Sequence, residues 1–132
     1  MKIFSICKDG GPESNVTSFT IVEIKSLFSV MFLKFSRGTR ENYHSHAFNA
    51  FTWFLSGSLI EHRIDGGKKS SWYKRSLRPK MTPRHNLHKV YAYKDSWCFS
   101  IRGPWSETWT EYNEKTGQTI TLTNGRKIVS IS

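Results

Sequence analysis

His44 and His46 stand one residue apart in the stretch GTRENYHSHAFNAFTWFLSG, which runs from Gly38 to Gly57. Imidazole is the commonest metal-binding side chain, and it binds as the neutral ring. Along a β-strand, positions i and i+2 project from the same face. The two rings can therefore aim at one ion from one strand, here the aromatic-rich segment that starts at His44 and reaches Phe54. Two unrelated histidines on a half-exposed strand have the same spacing, so the pair alone does not define a site. The flanking glycines add context: Gly38 lies six residues before His44 and Gly57 eleven after His46. Both are residues that let a chain turn sharply at a strand end.

The elements that would position this pair read as strands. Alternation and β-branched or aromatic content predict strands at 2–7, 19–23, 28–35, 58–64, 71–77, 88–93, 97–101, 109–112, 120–122 and 128–131. Phe19, Ile21 and Glu23 share one face, as do His88, Val90 and Ala92. Turns are expected at Gly10-Gly11-Pro12, over Ser36–Asn42, at Asp65-Gly66-Gly67, at Lys94-Asp95 and over Asn113–Gly117. Asn124-Gly125 between alternating residues predicts a closing hairpin. No segment has a helical period and none repeats. Short strands at regular spacing point to an antiparallel sandwich or barrel.

A second group of residues follows later in the chain: Pro83, Arg84, His85, Asn86, Leu87 and His88. With it, the sequence resembles the cupin superfamily. That family's first motif, G-x5-H-x-H-x3,4-E-x6-G, is met over 38–57 by Gly38, His44, His46 and Gly57, with Ala50 at the glutamate position. Its second, P-x-G-x2-H-x3-N, is met over 83–92 by Pro83 and His88, with His85 in place of the glycine and Ala92 in place of the asparagine. The segment GPWSETW (103–109) and Tyr112 resemble small uncharacterised cupin-like proteins of bacteria and phages.

The resemblance implies an all-β jelly roll, a double-stranded β-helix barrel of about eight strands forming one domain over 1–132, with a metal at one end of its interior. Carried over by position, the ligands are His44, His46 and His88. Fe, Zn, Mn and Ni are the candidate ions. With no carboxylate among the ligands, the ion keeps its full charge and favours an anionic fourth ligand. Three-histidine cupins include thiol dioxygenases, and three imidazoles also suit zinc with an activated water. Cupins often pair through edge strands, which implies a homodimer.

Further candidates surround the motifs. Glu61 could make up for Ala50 by reaching the cavity, but exposed glutamates are the rule, and the surface is the expected place. His85 is a rim ligand or an acid/base group if the loop folds inward, and a solvated loop histidine if it does not. Tyr43 and Tyr91 are candidate proton donors. His62 alternates away from Glu61 and reads as structural.

The chain is 132 residues long with a net charge of +10, which favours anionic partners, from small phosphorylated or carboxylated ligands to nucleic acid. The charge concentrates in KKSSWYKRSLRPK, from Lys68 to Lys80, with six basic residues and no acid. If the cupin reading holds, this segment lies at the cavity mouth. Lys74, Arg75, Arg78 and Arg84, with Arg40 and Arg102, are then the candidate anion-binding set. Edge-strand lysines that block sheet pairing have the same composition, and Trp72 and Tyr73 among the cations also suit stacking on a base. The apolar run 27–35 is too short to span a bilayer and has no cleavage context. A cytoplasmic protein with two free thiols, Cys7 and Cys98, is expected. Two function classes stay open: a metal-dependent enzyme on a small anionic substrate, and a binding module for a nucleotide, a modified sugar or nucleic acid.

Overall fold

The computed structural model describes residues 1–9, 14–39, 43–64, 67–123 and 127–132. The all-β expectation holds: strands β1 (Lys2–Lys8), β2 (Val16–Ile24), β3 (Phe28–Phe35), β4 (Gly38–Thr39), β5 (Tyr43–His44), β6 (Ala50–Ser56), β7 (Leu59–Ile64), β8 (Lys68–Tyr73), β9 (Lys80–Thr82), β10 (Leu87–Ala92), β11 (Ser96–Arg102), β12 (Thr108–Asn113), β13 (Gln118–Thr123) and β14 (Lys127–Ile131) follow one another. No helix forms among the described residues, so none is long and apolar enough to cross a membrane. The Gly10-Gly11-Pro12 and Asn124-Gly125 turns and Arg40 lie outside the described residues, as do Asp65 and Gly66.

Two antiparallel sheets make a jelly-roll sandwich. One runs β1-β2-β3-β11-β6-β9; the other runs β14-β13-β12-β5-β10-β7-β8, with β4 on β10. The first sheet has an unusual polarity. Its inner face carries Ser18, Thr20, Ser29, Ser96 and Ser100, all buried. Its outer face carries paired rings instead, with centroids 5.4 Å apart for Phe19–Trp97 and 5.1 Å for Phe32–Phe99. The apolar core falls into two clusters: Val16, Met31, Leu33, Leu59, Ala92 and Cys98 pack with Phe54 and Val90, and Ala47, Phe48 and Ala50 pack with Trp105 and Trp109. The rest of the interior is a cavity of about 390 Å³, within the range of small-ligand sites.

Gly57 fixes the turn from β6 into β7. Its φ is +101°, and a Cβ there would be driven into the side chain and backbone of Ser96. Gly57→Ala is expected to cost at least about 2 kcal/mol from backbone strain and overpacking. A lower urea midpoint at an unchanged slope would register it.

Candidate metal centre

His44 closes the two-residue β5, between β10 and β12. It lies opposite His88 on one side and Glu111 on the other. Directly opposed residues on one face have Cβ atoms about 5 Å apart, so this register alone juxtaposes His44 and His88. His46 does not continue the strand. The chain leaves its sheet after His44 and enters the opposite sheet at Ala50, which corrects the single-strand expectation. The loop is instead pinned from neighbouring segments. The His46 N–H donates to the Arg84 carbonyl (3.2 Å) and the Ser45 N–H to that of Thr110 (2.9 Å). The Arg84 N–H donates to Asn49 Oδ1 (2.8 Å).

The three rings form a nearly equilateral triangle. Centroids are 4.9 Å apart for His44–His46, 4.8 Å for His44–His88 and 5.0 Å for His46–His88. Each ring offers one nitrogen, and these nitrogens lie within 4.8 Å of one another. His88 is divided between two tasks. Its Nδ1–H donates to Glu61 Oε2 at 2.5 Å, whereas its Nε2 is buried and makes no hydrogen bond. With Nδ1 carrying the proton, the neutral ring has its lone pair on Nε2, and a carboxylate on the far nitrogen is the usual outer support of a metal-binding histidine. The residues present therefore fit a metal ion. The motif's carboxylate position, Ala50, is buried and lines the cavity with a methyl group only.

Glu61 is not the surface carboxylate expected from its residue type. It is 2 % exposed. It shares a face of β7 with Leu59, and its charge is met by groups distant in sequence as well as by one two residues away. Lys80 Nζ lies 2.6 Å from Oε2, the Tyr73 hydroxyl donates to Oε1 at 3.3 Å, and Arg63 Nε is 3.6 Å away. Burial alone would raise its pKa; the hydrogen bond and charge of His88, then those of Lys80, outweigh it and hold the carboxyl at about 2 instead of 4.5. Burial, then the Glu61 charge, raises the Tyr73 phenol, which stays a donor.

The other candidates separate. Tyr43 has the opposite parity to His44 and packs against Tyr112 and Lys89 on the outer side of the sheet. Tyr91 likewise points away from His88, against Tyr93. His85 and the Arg84 side chain are exposed in the turn before β10, off the cavity. His62 bonds Ser70 (2.9 Å). Lys74, Arg75 and Arg78 are exposed between β8 and β9 and do not line the cavity. Arg102 does line it but is 5 % exposed, grips Asp9 at 2.7 and 3.3 Å and lies 4.4 Å from the Phe48 ring centre.

Four residues of the site region fall outside the sequence-derived set. Lys80 and Tyr73 support Glu61. Glu111, buried opposite His44, shares the inward parity of Trp109, a signal present in the TWTEYN alternation. Trp105 packs on Phe48 (5.2 Å between centroids) under Lys25, whose Nζ is 4.8 Å from the ring centre.

Both cysteines are free and line the cavity, Cys7 exposed and Cys98 buried. Burial pushes the Cys98 thiol up to about 12, so it stays neutral at any ordinary pH. A thiol reagent at pH about 8 is expected to label Cys7 alone, and both cysteines only after unfolding; mass mapping reads the difference.

No protein-family model matches the chain, and no curated protein does. Its architecture recurs among solved structures. A putative ethanolamine utilization protein Q from Salmonella typhimurium LT2 superposes with a TM-score of 0.61 at 11 % identity, over 76 % of this chain and 80 % of that one. Hydroxypropylphosphonic acid epoxidase from S. wedmorenis gives 0.57 at 14 %, over 74 % and 54 %. Oxalate decarboxylase from Bacillus subtilis gives 0.57 at 12 %, over 70 % and 26 %. The chain thus spans about half the length of the epoxidase and a quarter of the decarboxylase. At such identities the likeness is one of fold.

Proposed function

Because the chain has the cupin fold, we propose that it is a metal-dependent enzyme, dioxygenase-like or hydrolytic, that acts on a small anionic substrate at His44, His46 and His88. The observation that carries this reading is the division of His88: one nitrogen is committed to a buried carboxylate, and the other is buried without a partner beside two further imidazoles. A divalent ion of Fe, Zn, Mn or Ni held there would supply Lewis-acid or, for iron, redox chemistry. An iron(II) form of the epoxidase is among the structures of similar fold.

The chain's own residues support an anionic substrate. Five cationic side chains line the cavity against three carboxylates. Lys25, one of the exposed ones, lies over Trp105. Phe48, Trp105 and Trp109 form an apolar wall that would exclude water from one side of the ligand. Glu61 holds the His88 proton on Nδ1, and Lys80 and Tyr73 hold Glu61.

Metal analysis after reconstitution with each of the four ions tests the reading. About one equivalent of at least one ion is expected. Less than about a tenth of an equivalent of every ion would overturn it. The alanine at position 50 favours a second reading, a non-catalytic module that binds a nucleotide or modified sugar in the same cavity. Ligand binding that survives both His44→Ala and His88→Ala would select that module.

A further inference from the structure

The basic segment that the sequence assigns to the cavity mouth runs elsewhere. Of its six cations, Lys80 alone lines the cavity. The others lie on β8, the edge strand of its sheet, and on the loop from β8 to β9. Lys74, Arg75 and Arg78 are exposed and form no ion pair among the described residues. Glu114 is engaged by Lys68 and Lys89 at 3.1 Å each, and Asp95 by Lys34 at 3.8 Å.

Trp72, two residues before Lys74 and three before Arg75, belongs to an exposed aromatic cluster on the outer face of the same sheet. Trp72 on β8 stands opposite Ile60 on β7, and Ile60 opposite Tyr91 on β10. Rings from either side of β7 meet: Trp72 and Tyr93, just past the end of β10, stack at 4.9 Å and 25°, and Tyr91 meets Tyr93 edge-on at 4.8 Å. Ile60 between them is 8 % exposed. Covering one isoleucine does not account for the rest of the rings, since Trp72 stays 57 % and Tyr93 49 % exposed.

We propose that this face binds single-stranded nucleic acid, with bases stacking on Trp72 and Tyr93 and phosphates on Lys74, Arg75 and Arg78. Unneutralised cations next to flat, solvent-facing rings match a polyanion whose repeating units carry π-faces. An acidic protein would satisfy the charge but has no use for the stacked rings. An anionic membrane would need more inserted apolar surface than Leu77, the exposed leucine of the loop. This inference does not depend on the metal reading.

The test is fluorescence anisotropy with a labelled single-stranded oligonucleotide of about 12 nucleotides. Binding should weaken with salt at a log–log slope of about −2 for three phosphate contacts. Trp72→Ala should weaken it roughly tenfold to a hundredfold with the slope kept, and Trp72→Phe should largely restore it. Replacing Lys74, Arg75 and Arg78 together by glutamine should flatten the slope, and His88→Ala should leave binding unchanged. Equal affinity of wild type and Trp72→Ala would overturn the proposal. So would an affinity for heparin equal to that for the oligonucleotide. Binding to phosphatidylserine vesicles that is lost in Leu77→Ser, with none to the oligonucleotide, would transfer the surface to a membrane.

Discussion

Replacing His88 with alanine is expected to weaken metal binding several-hundredfold. A structural zinc site releases about 10–16 kcal/mol through four ligands, so one ligand carries on the order of 3–4 kcal/mol. The variant also strips Glu61 of its closest donor, the His88 Nδ1–H at 2.5 Å. Lys80, Arg63 and Tyr73 still surround that carboxylate, so the fold should survive, and circular dichroism would verify it. Competition titration against a chromophoric chelator measures the affinity. Wild-type affinity in His88→Ala would remove His88 from the ligand set.

The second large effect concerns Glu61, which carries no ligand role in this reading. Glu61→Ala leaves Lys80 and Arg63 without their shared carboxylate and the His88 N–H unpaired. Breaking a buried ionic cluster from one side costs about 3–5 kcal/mol, a large part of the stability of an ordinary domain. Metal affinity should fall about 10–100-fold, because the imidazole loses its orienting partner. Glu61→Gln keeps the shape and one acceptor and should be milder on both counts. The pH dependence has a definite sign. The folded pKa of about 2 lies below the ordinary 4.5, so the unfolded chain takes up the proton first. The stabilisation is complete above about pH 4.5 and is lost as pH falls toward 2. Urea midpoints of the metal-free protein across that window should drop in wild type and lose most of the drop in Glu61→Gln.

The strands were legible where one face is consistently apolar or aromatic. Phe28–Phe35 begins and ends where its alternation does. β2 begins three residues earlier than its apolar pattern because Val16–Ser18 opens a face whose buried residues include Ser18 and Thr20. Small polar residues are tolerated there because that face borders a cavity. β8 spans Lys68–Tyr73 where the sequence predicts a strand over 71–77; it starts three residues earlier because Lys68, Lys69 and Ser70 occupy an edge strand, where lysines are tolerated.

The three histidines were legible through motif spacing and the His88–Val90–Ala92 face. Their support was not. Glu61 is buried because Lys80, 19 residues away, and His88, 27 away, converge on it. Arg102 is committed to an aspartate 93 residues away. Charges look exposed in sequence until the fold supplies their partners.

The Glu61–Lys80 pair has a mechanical side. Glu61 belongs to one sheet and Lys80 to the other, and β8 and β9 are the last strands of their sheets. The Phe54–Tyr73 stack, 4.7 Å between centroids, crosses the same flank. The carboxylate that steers an imidazole is thus also a latch holding the open side of the sandwich shut. A divalent ion bound at His88 Nε2 would tighten the grip of His88 on that latch, and slower amide exchange in β9 on metal addition is the expected report from a strand that contributes no ligand.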